Sequence, residues 1–327
     1  MSKIFLTGAT GFIGSFIAAQ LLEQKHTLKC LVRKTSDLKW IKDLNCELCY
    51  GSLFEPDSYL TVVEDCDYIF HVAGVTKAYP REEYYKGNVL ATQNLLDTVI
   101  KVNPGLKRFL FVSSQAAIGP SPTEKPLDES APYQPVTDYG RSKMEAEQIV
   151  RQKMSDLPIT IVRPPAVYGP RDTDVYHFFK FLNKGINLMV GKVDQLVSLV
   201  YVEDLARGII DAALSANTIG QTYFICEEQP YRWSEIAKIS SKILEKNYIT
   251  LHLPLILASG VANIFELTSK ITRKPTILNR QKINEIKHTY WTVSSDKAQR
   301  DFGYQTNFPV ETGIRKTIDW YKTHHWL

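Results

Sequence analysis

The 327 residues predict an α/β fold, a doubly wound parallel sheet with a smaller C-terminal α/β lobe for substrate. Three observations carry this. Apolar runs at 3–7, 28–32, 68–73, 108–113 and 159–163 read as buried strands, with helical segments near 12–24, 82–101 and 139–154 between them. A glycine-rich turn joins the first strand to the first helix. Past residue 165 the alternation breaks at Pro164-Pro165 and Gly169-Pro170, then resumes in VSLVYVEDLARGIIDAAL (197–214) as one more strand and helix. The sheet unit is therefore expected over 1–165 plus about 197–222, and the lobe over about 166–196 and 223–327.

Within the first strand–turn–helix, TGATGFIG (7–14) places Gly8, Gly11 and Gly14 where a dinucleotide-binding turn requires them. The first glycine makes the tight turn, the second lets backbone N–H groups approach a pyrophosphate, and the third allows close helix–strand packing. Thr10, Phe12 and Ile13 complete the cradle, and the helix N-terminus supplies partial positive charge. The GK[ST] ending of a nucleoside-triphosphate loop is absent. This is the start of a Rossmann-type sheet.

The helix at 139–154 opens with Tyr139-Gly-Arg-Ser-Lys143, so tyrosine and lysine lie one turn apart on one face. A tyrosine with an ordinary pKa near 10 is a weak acid–base catalyst at neutral pH, and lowering it by about 3 units takes roughly 4 kcal/mol. An exposed i,i+4 pair supplies only about 0.3–0.5 kcal/mol. The pair therefore acts only when desolvated and helped by a further positive charge, such as an oxidised nicotinamide. Ahead of it, the strand in RFLFVSSQAAIG (108–119) delivers Ser113 and Ser114 to the carboxyl edge of the sheet, where open α/β folds bind ligands.

Composition narrows the partners. Charged residues are 23% and apolar ones 44%, and a net charge of +4 is too small to suggest a nucleic-acid surface. Lys3-Ile4-Phe5-Leu6 runs straight into the glycine turn with no signal-peptide pattern, so a cytoplasmic location is expected. The stretch LHLPLILASGVANIFEL (251–267) contains Pro254 and ends near Glu266, short of the roughly 20 residues a bilayer requires. Used as an interfacial helix it would put the chain at a membrane surface, but such contact is not expected. Five cysteines imply no disulfide framework, and the lone Cys46-x-x-Cys49 lacks a second pair of ligands, so no metal is expected.

Taken together, TGATGFIG (7–14), FHVAG (70–74), NVLATQNLL (88–96), VSS (112–114), YGRSK (139–143), RPPAVYGPRD (163–172), VYVEDLA (200–206) and SSDKAQRDFGY (294–304) resemble the extended short-chain dehydrogenase/reductases of the NAD-dependent epimerase/dehydratase superfamily. The resemblance spans nearly the whole chain. It implies a catalytic group of Ser114, Tyr139 and Lys143 supported by Asn88. Ser114 and Tyr139 would hold the substrate oxygen, Tyr139 passing a proton while the nicotinamide exchanges hydride. Lys143 would hold the nicotinamide ribose and depress the tyrosine pKa. It further implies cofactor contacts from Ser52, Leu53, Val72, Ala73, Gly74, Pro164 and Val167, and substrate contacts from Arg171 and His177. Members often pair through the helices at 82–101 and 139–154, so a homodimer is implied.

Two stretches choose among members. LVRKTSD (31–37) puts Arg33, Lys34 and Ser36 where an acid would grip the ribose 2′-hydroxyl of NAD. Arginine offers a 2′-phosphate a bidentate partner, so NADP(H) is favoured over NAD(H); the other reading is a solvated turn with Asp37 on the ribose. Nucleotide-sugar members commonly carry Arg-Asp-Phe ahead of VYVED, whereas Val197-Ser198-Leu199 stands here and Ile118 replaces a polar ring. The expected reaction is reduction of a ketone or aldehyde, or the reverse, on a moderately apolar small molecule, with aromatic and apolar groups of the lobe (175–182, Leu253, Leu255, Ile256) near it. The alternative is a nucleotide-sugar epimerase or dehydratase holding NAD tightly, its diphosphate met by Arg171, Lys180, Lys184 or Lys192.

Overall fold

The computed structural model describes residues 1–191, 193–272, 276 and 279–327. Lys192 therefore lies outside the described residues. Fourteen strands are named here in chain order. They are β1 (Lys3–Thr7), β2 (Thr27–Val32), β3 (Glu47–Tyr50), β4 (Tyr68–His71), β5 (Arg108–Val112), β6 (Ile159–Arg163) and β7 (Ala166–Tyr168), followed by β8 (Ile186–Val190), β9 (Leu196–Val197), β10 (Leu199–Tyr201), β11 (Thr222–Phe224), β12 (Tyr231–Arg232), β13 (Ile249–Leu253) and β14 (Tyr290–Trp291).

Seven strands form one sheet in the order β11-β6-β5-β4-β1-β2-β3, every pair parallel. A sheet covered on both faces needs near-continuous apolar strands, and β5 and β6 are buried at every position. The helices Phe12–Glu23 and Val202–Leu214 cover one face through Ile17, Leu21, Leu205 and Ile209. The helices Ala91–Val102 and Asp138–Gln152 cover the other through Leu95, Val99, Ala146 and Val150. The chain leaves β1 in opposite directions toward β2 and β4, so a crevice opens above their carboxyl ends, the usual ligand position of such sheets.

The five expected strands are all present. Two were not anticipated: β3 is a four-residue edge strand, and β11 has three residues, so neither carries a long apolar run. The single strand expected within 197–214, ahead of its helix, needs correction. It is split at Ser198 into β9 and β10, and neither half joins the main sheet. The Ser198 hydroxyl donates to Val293 O (3.1 Å) and accepts from Val293 N (3.0 Å), which fixes the break. β10 pairs with β7, while β9 lies between β12 and β14.

A third core fills the lobe, where Phe179, Leu182, Tyr201, Ile236, Ile314 and Tyr321 pack together. Most of the aromatic stripe at 175–182 belongs to this core, as helical spacing normally dictates. Beside it β8 and β13 form a separate parallel pair leading into the helix Leu255–Thr272.

Candidate active site

The turn after β1 is built by steric exclusion. Gly8 has φ +81°, and a Cβ there would sit 2.6 Å from Ala73 N; a Cβ at Gly14 would sit 2.1 Å from Gly8 O. The first turn of the Phe12–Glu23 helix is thus bare backbone, capped by Gly11 with no side-chain hydrogen bond. Its N–H groups face a cleft of about 600 Å³, lined by Gly8, Thr10, Gly11, Phe12, Ile13, Gly14, Arg33, Ser36, Ser52, Leu53, Val72, Ala73, Gly74, Tyr139 and Lys143. Ser113 also lines it, with a buried hydroxyl that has no partner. A cleft of that size, with bare amides at one end and an orphaned hydroxyl along its floor, fits a dinucleotide.

Several expected contacts fall elsewhere. Lys34 is exposed and does not line the cleft, because the turn closes with Ser36 N on Arg33 O (2.9 Å) and Arg33 N on Ser36 Oγ (3.0 Å). Asp37 is turned away: its carboxylate accepts from Lys39 N (3.1 Å) and pairs with Lys39 Nζ (3.4 Å). Pro164 and Val167 do not reach the cleft either. Pro164 O accepts from Gln115 N, Val167 packs on the sheet core, and Pro165 and Ala166 face the neighbouring cavity instead.

Tyr139 and Ser114 meet where two cavities join. Ser114, in extended backbone just past the end of β5, accepts from Ala116 N (3.1 Å) and lies close enough to the Tyr139 hydroxyl to lower its pKa. Burial pushes the Tyr139 hydroxyl up to about 12, against a lowering by the Ser114 bond and a further raising by the charge of Glu285. One turn on, Lys143 is buried, donates to Val112 O (2.7 Å) and lies 4.6 Å from the centre of the Phe111 ring. Burial lowers its pKa to about 8, partly offset by the Glu147 carboxylate. The tyrosine is therefore held protonated here, and burial outweighs any lowering by the lysine.

Asn88 does not line either cavity but ties the site together. It sits in a π-helical turn, Tyr85–Leu90, a form often found at functional positions. Its Oδ1 accepts from Val75 N (2.7 Å), while Nδ2 donates to Val75 O (3.0 Å) and Ser142 Oγ (2.8 Å). Behind it a chain not anticipated from sequence runs from Thr7 Oγ1 to His71 Nδ1 (2.8 Å), and from His71 Nε2 to Thr92 Oγ1 (2.9 Å). Thr92 then donates to Asn88 O (2.6 Å). Burial lowers the His71 pKa to about 3, so this link is neutral.

The second cavity, about 420 Å³, opens beside Ser114. Its wall includes Ala166, Phe178, Leu188, Val190, Val197, Ser198, Trp233 and Trp291, with Lys282, Glu285 and Ile286 from the short helix Arg280–Ile286. That helix is docked on the start of the tyrosine helix, since Gln281 Oε1 accepts from Asp138 N (2.6 Å) and Gln281 Nε2 donates to Asp138 Oδ2 (2.7 Å). A separation of 143 residues hides this contact from any local pattern.

Arg171 and His177 require correction as substrate residues. The Arg171 guanidinium donates to Ser15 Oγ (2.8 Å) and lies 4.5 and 4.9 Å from the Phe16 and Trp40 ring centres, behind the glycine turn. His177 packs beside Tyr176, and one residue on Phe178 takes the cavity position. Leu253 and Leu255 flank a small outer cluster, Ile256 is exposed, and Ile118 is buried against Phe224 and Val293. Missed entirely were Lys77 and Asp174, an ion pair at the cleft, and buried Asp172, which caps the following turn by accepting from Asp174 N and Val175 N.

A parallel sheet with a dinucleotide-sized cleft at its carboxyl edge, closed by a Tyr–Lys pair, defines an NAD(P)-dependent enzyme of the dehydrogenase/reductase class. The sequence pattern of the NAD dependent epimerase/dehydratase family matches residues 4–226, and the chain belongs to that family. It is 28% identical to ceramide reductase from Caulobacter vibrioides, covering 99% of this chain and 96% of the relative. It is 25% identical to 2-alkyl-3-oxoalkanoate reductase from Shewanella oneidensis, covering 97% and 85%. The fold superposes on UDP-glucose 4-epimerase from Thermotoga maritima with TM-score 0.82 at 19% identity, over 99% of each chain. Among the described residues no helix is long and apolar enough to cross a membrane, and no cluster of metal ligands is present.

Proposed function

We propose that this enzyme reduces a ketone or aldehyde on a moderately apolar molecule, using NADP(H). The observation that carries the reading is the cavity beside Ser114: among the described residues no arginine lines it, and the one lysine that does, Lys282, is paired with Glu285 at 2.8 Å. A buried diphosphate there would lack cationic partners worth about 1.5–3 kcal/mol each. Val197 and Ser198 occupy the wall, and the Ser198 hydroxyl is fully engaged with Val293. Two relatives named above as a ceramide reductase and a 2-alkyl-3-oxoalkanoate reductase support an apolar carbonyl substrate.

A nicotinamide supplies or accepts hydride when bound, and the chain's own groups do the rest. Ser114 and Tyr139 hydrogen bond the carbonyl oxygen, and the protonated Tyr139 hydroxyl gives it a proton as negative charge develops. A tyrosine held protonated is ready to act as the acid of a reduction. Lys143, Gly74 and the Asn88 network fix the cofactor side, and the apolar wall excludes water. Arg33 and Ser36, both at the cleft, bind the 2′-phosphate, with Asp37 already occupied by Lys39.

The test is turnover of apolar ketones with NADPH and NADH, beside UDP-, GDP- and dTDP-sugars. Stoichiometric NADPH oxidation with the ketones is expected, and Arg33→Asp is expected to weaken NADPH binding roughly 10- to 150-fold. Interconversion of a nucleotide sugar without net NADPH oxidation would overturn the substrate reading. An unchanged cofactor preference in Arg33→Asp would overturn the cofactor reading.

A further inference from the structure

The helix Leu255–Thr272 is inside out. Among its described residues the apolar ones fully buried against Ile283 are small, Ala258 and Ala262, with only Leu255 at its start partly buried on the same cluster. The large apolar side chains face outward: Ile256 is 86% exposed, Ile264 61%, Leu257 58%, and Val261 and Phe265 are also exposed. In a helix that only covers a core, the large groups point in. The preceding strand repeats the pattern. Ile249 and Leu251 are exposed on β13, two residues apart and so on one face, and Leu251 lies in register with exposed Leu188 on β8. Leu188 also lines the cavity beside Ser114. Large apolar groups left exposed on a helix and on the strand before it mark an interaction site.

Charge selects the occupant. Residues 249–288 hold six cations (Lys270, Arg273, Lys274, Arg280, Lys282, Lys287) and two anions (Glu266, Glu285), a net +4. The whole chain is also +4, so the remaining residues are neutral in sum. A second copy meeting this segment would set one net +4 against another. An anionic lipid surface would instead attract it, and an apolar helix flanked by Lys and Arg is the pattern that lies in a bilayer interface. We infer that the helix Leu255–Thr272 docks this enzyme on anionic membrane surfaces, with the Ile249–Leu251–Leu188 row giving an apolar path to the cavity. This revises the expectation that the chain makes no membrane contact. The docking stands on exposure and charge alone; only the path to the cavity rests on the proposed apolar substrate.

The experiment is flotation of the full chain with vesicles of phosphatidylcholine alone and of phosphatidylcholine mixed equally with phosphatidylglycerol. Wild type is expected to float with the mixed vesicles, less so at high salt, because exposed charges are screened. Ile256→Glu combined with Ile264→Glu is expected to weaken binding roughly tenfold or more, as the inserted face becomes charged. Cofactor affinity and turnover of a water-soluble ketone should stay unchanged in that variant, showing that it folds. No flotation by wild type, or flotation indifferent to the two substitutions, overturns the inference. So does a dimer in solution that the substitutions dissociate, if wild type ignores vesicles. Flotation without turnover of any ketone would leave the docking intact and remove the proposed function.

Discussion

Replacing Arg163 by methionine perturbs the most deeply buried ion pair near the site. Arg163 is 2% exposed and Glu147 fully buried, joined by bonds of 2.9, 3.2 and 3.1 Å. The guanidinium also lies against the Tyr133 and Phe224 rings, so methionine keeps much of the apolar packing. What is lost is the partner of a buried carboxylate, which typically costs about 3–5 kcal/mol. With an unfolding entropy near 2.1 cal/mol/K per residue, a chain of this length loses roughly 4–7 °C in Tm. Urea denaturation at pH 8 should show this deficit. The double variant Arg163→Met/Glu147→Leu should recover most of the loss, since apolar replacement of a buried pair is often neutral. A single variant within about 1 kcal/mol of wild type at pH 8, or a double variant showing the sum of both single losses, would refute the reasoning.

Tyr139→Phe should lower turnover at least roughly 10²-fold while leaving cofactor affinity nearly intact, because it removes only the proposed proton donor; near-normal turnover sinks the mechanism. With Lys143 lowered to about 8 by burial and Tyr139 held at about 12, NADPH affinity and reductive turnover should hold below pH 8 and fall above it as the ammonium is lost. Lys143→Arg keeps the charge, so its profile, at whatever rate, should flatten; a decline at the same pH would exclude Lys143 as the titrating group. Gly14→Ala puts a methyl 2.1 Å from Gly8 O, so isothermal titration should show loss of cofactor binding beyond any loss of stability.

Sequence legibility followed the range of the interactions. The positions of the glycine turn, Tyr139, Lys143 and Ser114 beside the cavities were legible because each depends on a local period or on the end of an apolar strand. Asn88 and Gly74 were expected near the site only through resemblance, and the Thr7–His71–Thr92 chain that leads to Asn88 was not expected, since two threonines and a histidine form no pattern in one dimension. Arg171 was misassigned because a cation in a loop looks the same whether it faces a cavity or lies between Phe16 and Trp40. Pro164 and Val167 line neither cavity, while Pro165 and Ala166 between them line the one beside Ser114, a placement that alternation alone does not give because neighbours on a strand point apart. Lys282 and Glu285 came from a helix far along the chain, where no local signal marks them.

The position of Arg171 has a consequence for recombining this enzyme with its relatives. Trp40, on which Arg171 rests, also meets Trp320 at 5.8 Å, and next to it Tyr321 donates to Asp172 O (2.8 Å). The wall behind the nucleotide turn is therefore partly made of the last helix, nearly 100 residues beyond the segment 4–226 that the family pattern matches. A chimera joined at residue 226 would pair a foreign terminal helix with a native Trp40 and Arg171, and leave β9 without its native partners β12 and β14. The exchangeable unit is set by these contacts, so Trp40, Arg171 and the helix Val310–Thr323 have to travel together.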